Sequence, residues 1–165
     1  MPNPLDLTGK VALVTGAARG QGRSHVVHLA EHGADVLALD ICAQIGTVPY
    51  PMATPGDLAE TVRIASATGR RIVAEQVDVR DLEALQRFVS RGVDELGRLD
   101  VVVANAGTVN GIAPMWELEE DQFRDQLDVN LIGVWKTIKA TVPHLLAQGA
   151  GGSVILISSI SGLVA

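Results

Sequence analysis

Residues 15 to 22 read Thr15-Gly16-Ala17-Ala18-Arg19-Gly20-Gln21-Gly22, and Asp40 stands eighteen positions beyond Gly22. Glycines at this spacing, where they join a strand to a helix, make a loop that can hold an anion. Gly16 permits a sharp exit from the strand, because it takes positive φ without a Cβ clash. Gly20 lets the backbone come close to a diphosphate, and Gly22 lets the helix pack tightly on the sheet. Arg19 and Gln21 are interleaved with them in the same candidate site. The helix that follows offers free N–H groups and the positive end of its dipole to the anion. A carboxylate at position 40 can accept hydrogen bonds from both hydroxyls of an adenosine ribose, and it would repel a 2′-phosphate. Ile41 and Cys42 supply no cation for such a phosphate. Arg19 could in principle do so, but Asp40 argues against it, so NAD is favoured over NADP. Alone, the loop could be a plain turn and the acid a solvated strand end. Its place after the first strand favours the nucleotide reading.

The elements that must position these residues alternate between short β-branched runs and longer helical patterns, as in βαβ units around a parallel sheet. The patterns predict strands at 11–15, 36–39, 72–77, 101–104 and 153–158, and helices at 20–32, 58–67, 82–96 and 119–148. Residues 41–55, with Pro49, Pro51, Pro55 and Gly46, are too turn-rich to form an element. The strands are continuous apolar runs, as expected of parallel strands buried on both faces. The expectation is one α/β domain over residues 1–165, a Rossmann-like doubly wound parallel sheet.

Composition narrows the function classes. The chain has 165 residues, 47% of them hydrophobic, enough for one globular core and too few for two. A net charge of −6 would repel a phosphate backbone, so nucleic acid is not an expected partner. The lone Cys42 fits a reducing compartment. Residues 1–10 do not read as a signal peptide, and no apolar run reaches membrane-spanning length. A soluble, cytoplasmic protein without a membrane partner is expected.

Further motifs follow in order. Asp78-Val79 closes strand three and Asn105-Ala106-Gly107 closes strand four. Asn130 lies in Val129-Asn130-Leu131-x-Gly133, and Gly152-Ser153-Val154-x-x-Ile157-Ser158-Ser159 runs along strand five. With the glycine loop, this set resembles the short-chain dehydrogenase/reductase family. The stretch from Asp40-Ile41-Cys42 through Val48-Pro49-Tyr50-Pro51 to Asp57-Leu58 is similar to its mycofactocin-coupled, carveol-dehydrogenase-like subgroup. The resemblance implies the strand order 3-2-1-4-5 for these strands and hydride transfer between a secondary alcohol or ketone and nicotinamide. It implies that Asp78 binds the adenine amino group and that Asn105-Ala106-Gly107 runs beside the adenosine half. Ser159 would polarise the substrate oxygen, and Asn130 would hold a water in the proton relay. Residues 42–54 would form an insertion covering the cofactor, so that NAD stays bound and is recycled by an external acceptor, mycofactocin. The full-length form would be a homo-oligomer.

On a helical wheel started at Phe123, the residues Leu127, Leu131, Val134 and Ile138 share a stripe, Asn130 borders it, and Lys136 points away. An amide there needs a partner, which a relay role or a plain helix-to-loop bond would supply. The family's chemistry also needs a Tyr with a Lys four residues on, about a dozen residues after Ser159. Only six residues follow Ser159, and the single tyrosine, Tyr50, has Thr54 four positions on. The chain therefore reads as stopping before that pair, is expected to be inactive alone, and leaves residues 154–157 as an apolar edge prone to pairing.

Three constellations are set aside. His25, His28 and His32 share one helix face, expected to be solvated surface and not a metal site. Glu117 and Glu119-Glu120-Asp121 suit the positive end of the long helix. Cys42 has no visible activator. The competing functions are a non-catalytic dinucleotide-binding module and an S-adenosylmethionine methyltransferase. The gap between Gly16 and Gly20 and the Asn105-Ala106-Gly107 turn count against the methyltransferase.

Overall fold

A computed structural model describes residues 6–110 and 113–160. Residues 1–5, the first half of the segment tested for a signal peptide, lie outside the described residues. Five strands, β1 (Val11–Thr15), β2 (Asp35–Asp40), β3 (Ile72–Gln76), β4 (Val101–Ala104) and β5 (Ser153–Leu156), form one parallel sheet in the order β3-β2-β1-β4-β5. Val11 pairs with Asp35, Ala12 with Val101, and Val101 with Ser153, so the strands end together at one edge. Five helices connect them: α1 (Gly20–Glu31), α2 (Pro55–Ser66), α3 (Leu82–Leu96), α4 (Glu120–Leu127) and α5 (Val134–Ala147). The architecture is the expected Rossmann-like α/β one, with element ends moved by a few residues.

Alternate residues of each strand feed opposite faces. Leu13, Leu37, Leu39 and Val102 pack with Leu85, Phe88 and Val89 of α3. Val14, Val36, Ala38 and Val103 pack with Val26 and Ala30 of α1 and with Leu58 and Ala65 of α2. Phe88, Leu13, Leu37 and Leu85 are fully buried, each contributing about 1.5–3 kcal/mol of apolar transfer.

The helix expected over 119–148 is two α-helices joined by a π-helical turn, Asp128–Gly133. Its buried face differs from the wheel's stripe. Phe123, Leu127 and Leu131 are exposed, whereas Val129, Gly133, Thr137, Ala140, Thr141 and Leu145 are buried. Close approach selects small residues here: a Cβ on Gly133 would sit 2.7 Å from Val79 Cγ2. The buried threonines are tolerated there because each hydroxyl donates back along the helix, Thr137 to the Gly133 carbonyl and Thr141 to the Thr137 carbonyl, both at 2.8 Å. The apolar stripe was the louder signal in the sequence, but packing distance chose the quieter one. Lys136, expected to point away from the stripe, donates to the Arg80 carbonyl.

The three histidines of α1 differ as well. They do not lie on an open face: with Leu7, Leu29, Val101, Val103, Ile155 and Ile157 they line a groove of about 410 Å³. His28 is exposed, while His25 and His32 are half-buried along the groove that separates α1 from β4 and β5. Among the described residues no group of three or more His, Cys, Asp or Glu side chains is arranged to hold a metal ion. No helix among them is long and apolar enough to cross a membrane.

Candidate dinucleotide site

The carboxyl ends of β1, β2 and β4 open onto a crevice of about 230 Å³. Parallel strands place ligand sites there, where the connections leave the sheet in opposite directions. Its lining includes Gly16, Arg19, Gly20, Gln21 and Gly22 from the glycine loop and Asp40 from β2. Asp78 and Val79 line it from the end of β3, and Asn105, Ala106 and Gly107 from the end of β4. Two of the singled-out residues, Asn130 and Ser159, are not part of this lining.

The loop's shape follows from its glycines. Gly16 takes φ +66°, and a Cβ there would sit 2.9 Å from the Ala106 Cα. Gly22 allows a closer approach still, since a Cβ would fall 1.9 Å from the Gly16 carbonyl oxygen. The tight contact at Gly22 is thus with its own loop and with Asn105, more than with the strands. Gly20, at φ +56°, has open space where a Cβ would stand. Thr15 fixes the opposite wall: its hydroxyl accepts the Asn105 N–H at 3.0 Å and the Ala106 N–H at 2.9 Å. The Asn105 amide donates to the Thr15 carbonyl at 2.9 Å.

Asp40 is buried, and each carboxylate oxygen accepts one backbone N–H: Oδ2 from Ala18 and Oδ1 from Cys42, both at 3.0 Å. A carboxylate oxygen can accept more than one such bond, so both retain capacity for ribose hydroxyls. Arg19 is committed elsewhere. It donates to the Pro51 carbonyl at 2.7 Å and lies 5.9 Å above the Tyr50 ring centre. Asp78 is held by Arg80, whose Nη2 lies 2.8 Å away, and Arg80 also reaches Asp125 at 2.9 Å. Cys42 turns the chain at φ +47°. Burial, with smaller contributions from the Asp40 and Asp57 charges, pushes its thiol up to about 11.

The segment between β2 and α2 crosses the crevice mouth. Ile45, Tyr50, Met52 and Ala53, all within the expected 42–54 insertion, belong to the lining, as do Val129 from the Asn130 motif and Thr108, which no sequence signal named. Thr47 donates to Asp125 on α4 at 2.7 Å, and the Val109 N–H donates to the Tyr50 hydroxyl at 3.2 Å. Gln44 ties the segment to itself, accepting the Met52 N–H at 3.1 Å and donating to the Val48 carbonyl at 2.9 Å. Tyr50 entered the sequence analysis twice, as a tyrosine without a lysine four residues on and as part of the stretch expected to cover the crevice; the second signal is the one its position matches.

Asn130 sits on the π-helical turn and clamps the loop after β4. Its Oδ1 accepts the Thr108 N–H and its Nδ2 donates to the Thr108 carbonyl, both at 2.9 Å. The helix-to-loop bond is therefore present, and it satisfies the side chain. Ser159 follows β5 at the carboxyl end of the sheet and is exposed.

The crevice suits a dinucleotide on its own chemistry. The glycine loop leaves open space at Gly20, an acid waits beside it, and the buried Thr108 hydroxyl in the wall has no hydrogen-bond partner among the described residues.

Comparison with known proteins agrees with this geometry. A carveol dehydrogenase from Mycobacterium avium, solved in complex with NAD, superposes with a TM-score of 0.94 at 52% identity, covering 96% of this chain and 57% of that one. A short chain dehydrogenase from Mycobacterium paratuberculosis bound to NAD gives 0.92 at 49% identity, covering 96% and 58%. In sequence, the (-)-trans-carveol dehydrogenase of Rhodococcus erythropolis is 46% identical over 94% of this chain and 56% of its own length. The chain thus spans less than two thirds of the relatives it matches. The pattern of the short chain dehydrogenase family covers residues 10–165. With a match of that extent on a sheet of this order and a glycine loop of this form, the chain belongs to the short-chain dehydrogenase/reductase family.

Proposed function

We propose that residues 1–165 are the dinucleotide-binding domain of an NAD(H)-dependent oxidoreductase that interconverts a secondary alcohol and a ketone. The observation that carries the reading is the buried Asp40 carboxylate, aimed by the Ala18 and Cys42 N–H groups beside the open glycine loop. Gly16, Gly20 and Gly22 shape the diphosphate cradle. Arg19 and Gln21 edge it, and Asp40 takes the adenosine ribose. Asp78 and Val79 flank the adenine, and Asn105, Ala106 and Gly107 form the wall beside it. The nicotinamide, when bound, supplies the hydride donor or acceptor. Asn130 holds the wall at Thr108 and stands in the proton relay; Ser159 orients the substrate oxygen.

Residues 42–54 act as the cover over the cofactor. Their bonds to Asp125 and Val109 on the far side of the crevice support this, and a retained cofactor would be recycled by an external acceptor of the mycofactocin type. The exposed stripe of Phe123, Leu127, Leu131 and Trp135 supports a homo-oligomer, and the single cysteine supports work in the reducing cytoplasm. The 165 residues hold no Tyr-x-x-x-Lys pair, so these residues by themselves bind the cofactor without turning over alcohols.

Equilibrium titration with NADH and NADPH tests the reading. NADH should bind more tightly than NADPH. Asp40→Ala should weaken NADH by about 10- to 100-fold through loss of hydrogen bonds to a charged group, and should narrow the preference. Equal binding of both nucleotides, unchanged by Asp40→Ala, would contradict it.

A further inference from the structure

Behind the glycine loop lies a set of contacts that no ligand would touch. Arg23 and Thr61 are absent from the crevice lining. Arg23, on the first turn of α1, donates from Nη2 to the Ala18 carbonyl at 2.6 Å and to the Asp57 carbonyl at 2.8 Å. Its Nε donates to the Thr61 hydroxyl at 2.9 Å. Thr61, fully buried on α2, lies with Oγ1 3.1 Å from the Ala17 carbonyl and 3.0 Å from the Ala18 carbonyl. A hydroxyl has one proton to give, so it accepts from Arg23 and shares its own hydrogen among these two carbonyls and that of Asp57, 3.2 Å away on its own helix.

The result is a loop whose first two residues after Gly16 are held on both sides. The Ala17 N–H goes to the Leu39 carbonyl at 3.0 Å and the Ala18 N–H goes to Asp40 Oδ2 at 3.0 Å. Their carbonyls are drawn backward onto α2. A carbonyl turned toward the crevice would repel a diphosphate. Pulled back, it leaves the crevice side to the N–H groups of the first turn of α1, which have no acceptor within the helix. The same contacts put a guanidinium charge directly behind the anion site. The Ala17 carbonyl and the Ala18 N–H belong to one planar peptide group, so a shift where Thr61 holds that carbonyl is also felt by the Asp40 carboxylate on the N–H.

We propose that Arg23 and Thr61 are positioning residues for dinucleotide binding, setting the phosphate loop and the ribose acid together through the Ala17–Ala18 peptide, which Thr61 holds and Arg23 steadies through Thr61 and the next carbonyl. This couples α2, a helix that carries no diphosphate contact, to cofactor affinity. The inference rests on the reading of the crevice as an NAD(H) site.

The test compares Thr61→Val, which keeps shape and loses the hydroxyl, with Thr61→Ser, which keeps the hydroxyl, and adds Arg23→Gln as an independent variant. NADH dissociation constants are measured beside the folded fraction from circular dichroism, and the amide resonances of Gly20 and Gly22 are followed without ligand. Thr61→Val should weaken NADH by about 3- to 10-fold and Arg23→Gln by about 10- to 100-fold, with Thr61→Ser near the parent. The Gly20 and Gly22 resonances should move in both weakened variants. Folded variants binding NADH as the parent does would overturn the inference while leaving the cofactor reading intact. So would losses matching only a reduced folded fraction. A parent chain that fails to bind NADH would overturn the cofactor reading, and the inference with it.

Discussion

Asp40 and Cys42 are neighbours with opposite tasks, and a single backbone contact sets both. The Cys42 N–H aims the carboxylate, while the turn that delivers it buries the thiol. Burial comes first in pushing that thiol up to about 11, and the carboxylates of Asp40 and Asp57 add to it. Its folded value lies above the unfolded one, so the protonated thiol favours the fold fully below the ordinary thiol range. That contribution fades as pH rises from about 9 toward 11. Iodoacetamide at pH 7.5 should label the urea-unfolded chain far faster than the folded chain; equal rates would mean an exposed thiolate. At this scale the sequence was informative where residue type alone decides the chemistry, as with Gly16 and Asp40. It was silent where a partner decides it. Nothing in the order of residues tied Arg19 to Pro51 or Asp78 to Arg80; those contacts exist only because the segment after β2 and the turn after β3 fold back on the crevice.

Elements reproduced the sequence pattern where one signal dominated. The central strands β1, β2 and β4 are buried on both faces as their apolar runs predict, whereas β3 is half-buried and β5 exposed at the sheet's two edges; α3, with its apolar residues on one side, was legible end to end. The α4–α5 pair was not, because two faces competed and the sheet accepted the one with small residues. A second element-scale feature joins the starts of three strands. Asp100 accepts the Val11 N–H at 3.0 Å, pairs with Arg98 and Lys10, and offers its own carbonyl to the Ser153 N–H. Burial alone would push its carboxyl up, but the bonds from Arg98, the Val11 N–H and Lys10 together outweigh it and hold the group below the usual range. A depressed folded value means that the stabilisation is complete above the ordinary carboxyl range. It is lost as pH falls through the folded value. Asp100→Asn should cost about 1–3 kcal/mol at pH 7 and flatten the loss of stability as pH falls below the ordinary carboxyl range in denaturant titrations. An unchanged acid limb would place that sensitivity on other carboxylates.

For the whole molecule, one parallel sheet brings the ends of β1, β2, β3 and β4 to a single edge, and the residues that the sequence scattered from 16 to 107 meet there. The segment between β2 and α2 then closes over them, fastened to α4 and to the loop after β4. Surface remains open elsewhere: β5 is exposed along its length, and Phe123, Leu131 and Trp135 face outward. The most direct measurement is a crystal structure of the chain grown with NAD. The account predicts a dinucleotide whose diphosphate rests on Gly20 and Gly22 and whose adenosine ribose hydroxyls meet Asp40. Density for NAD elsewhere, or a crevice filled by the chain's own side chains at saturating NAD, would contradict it.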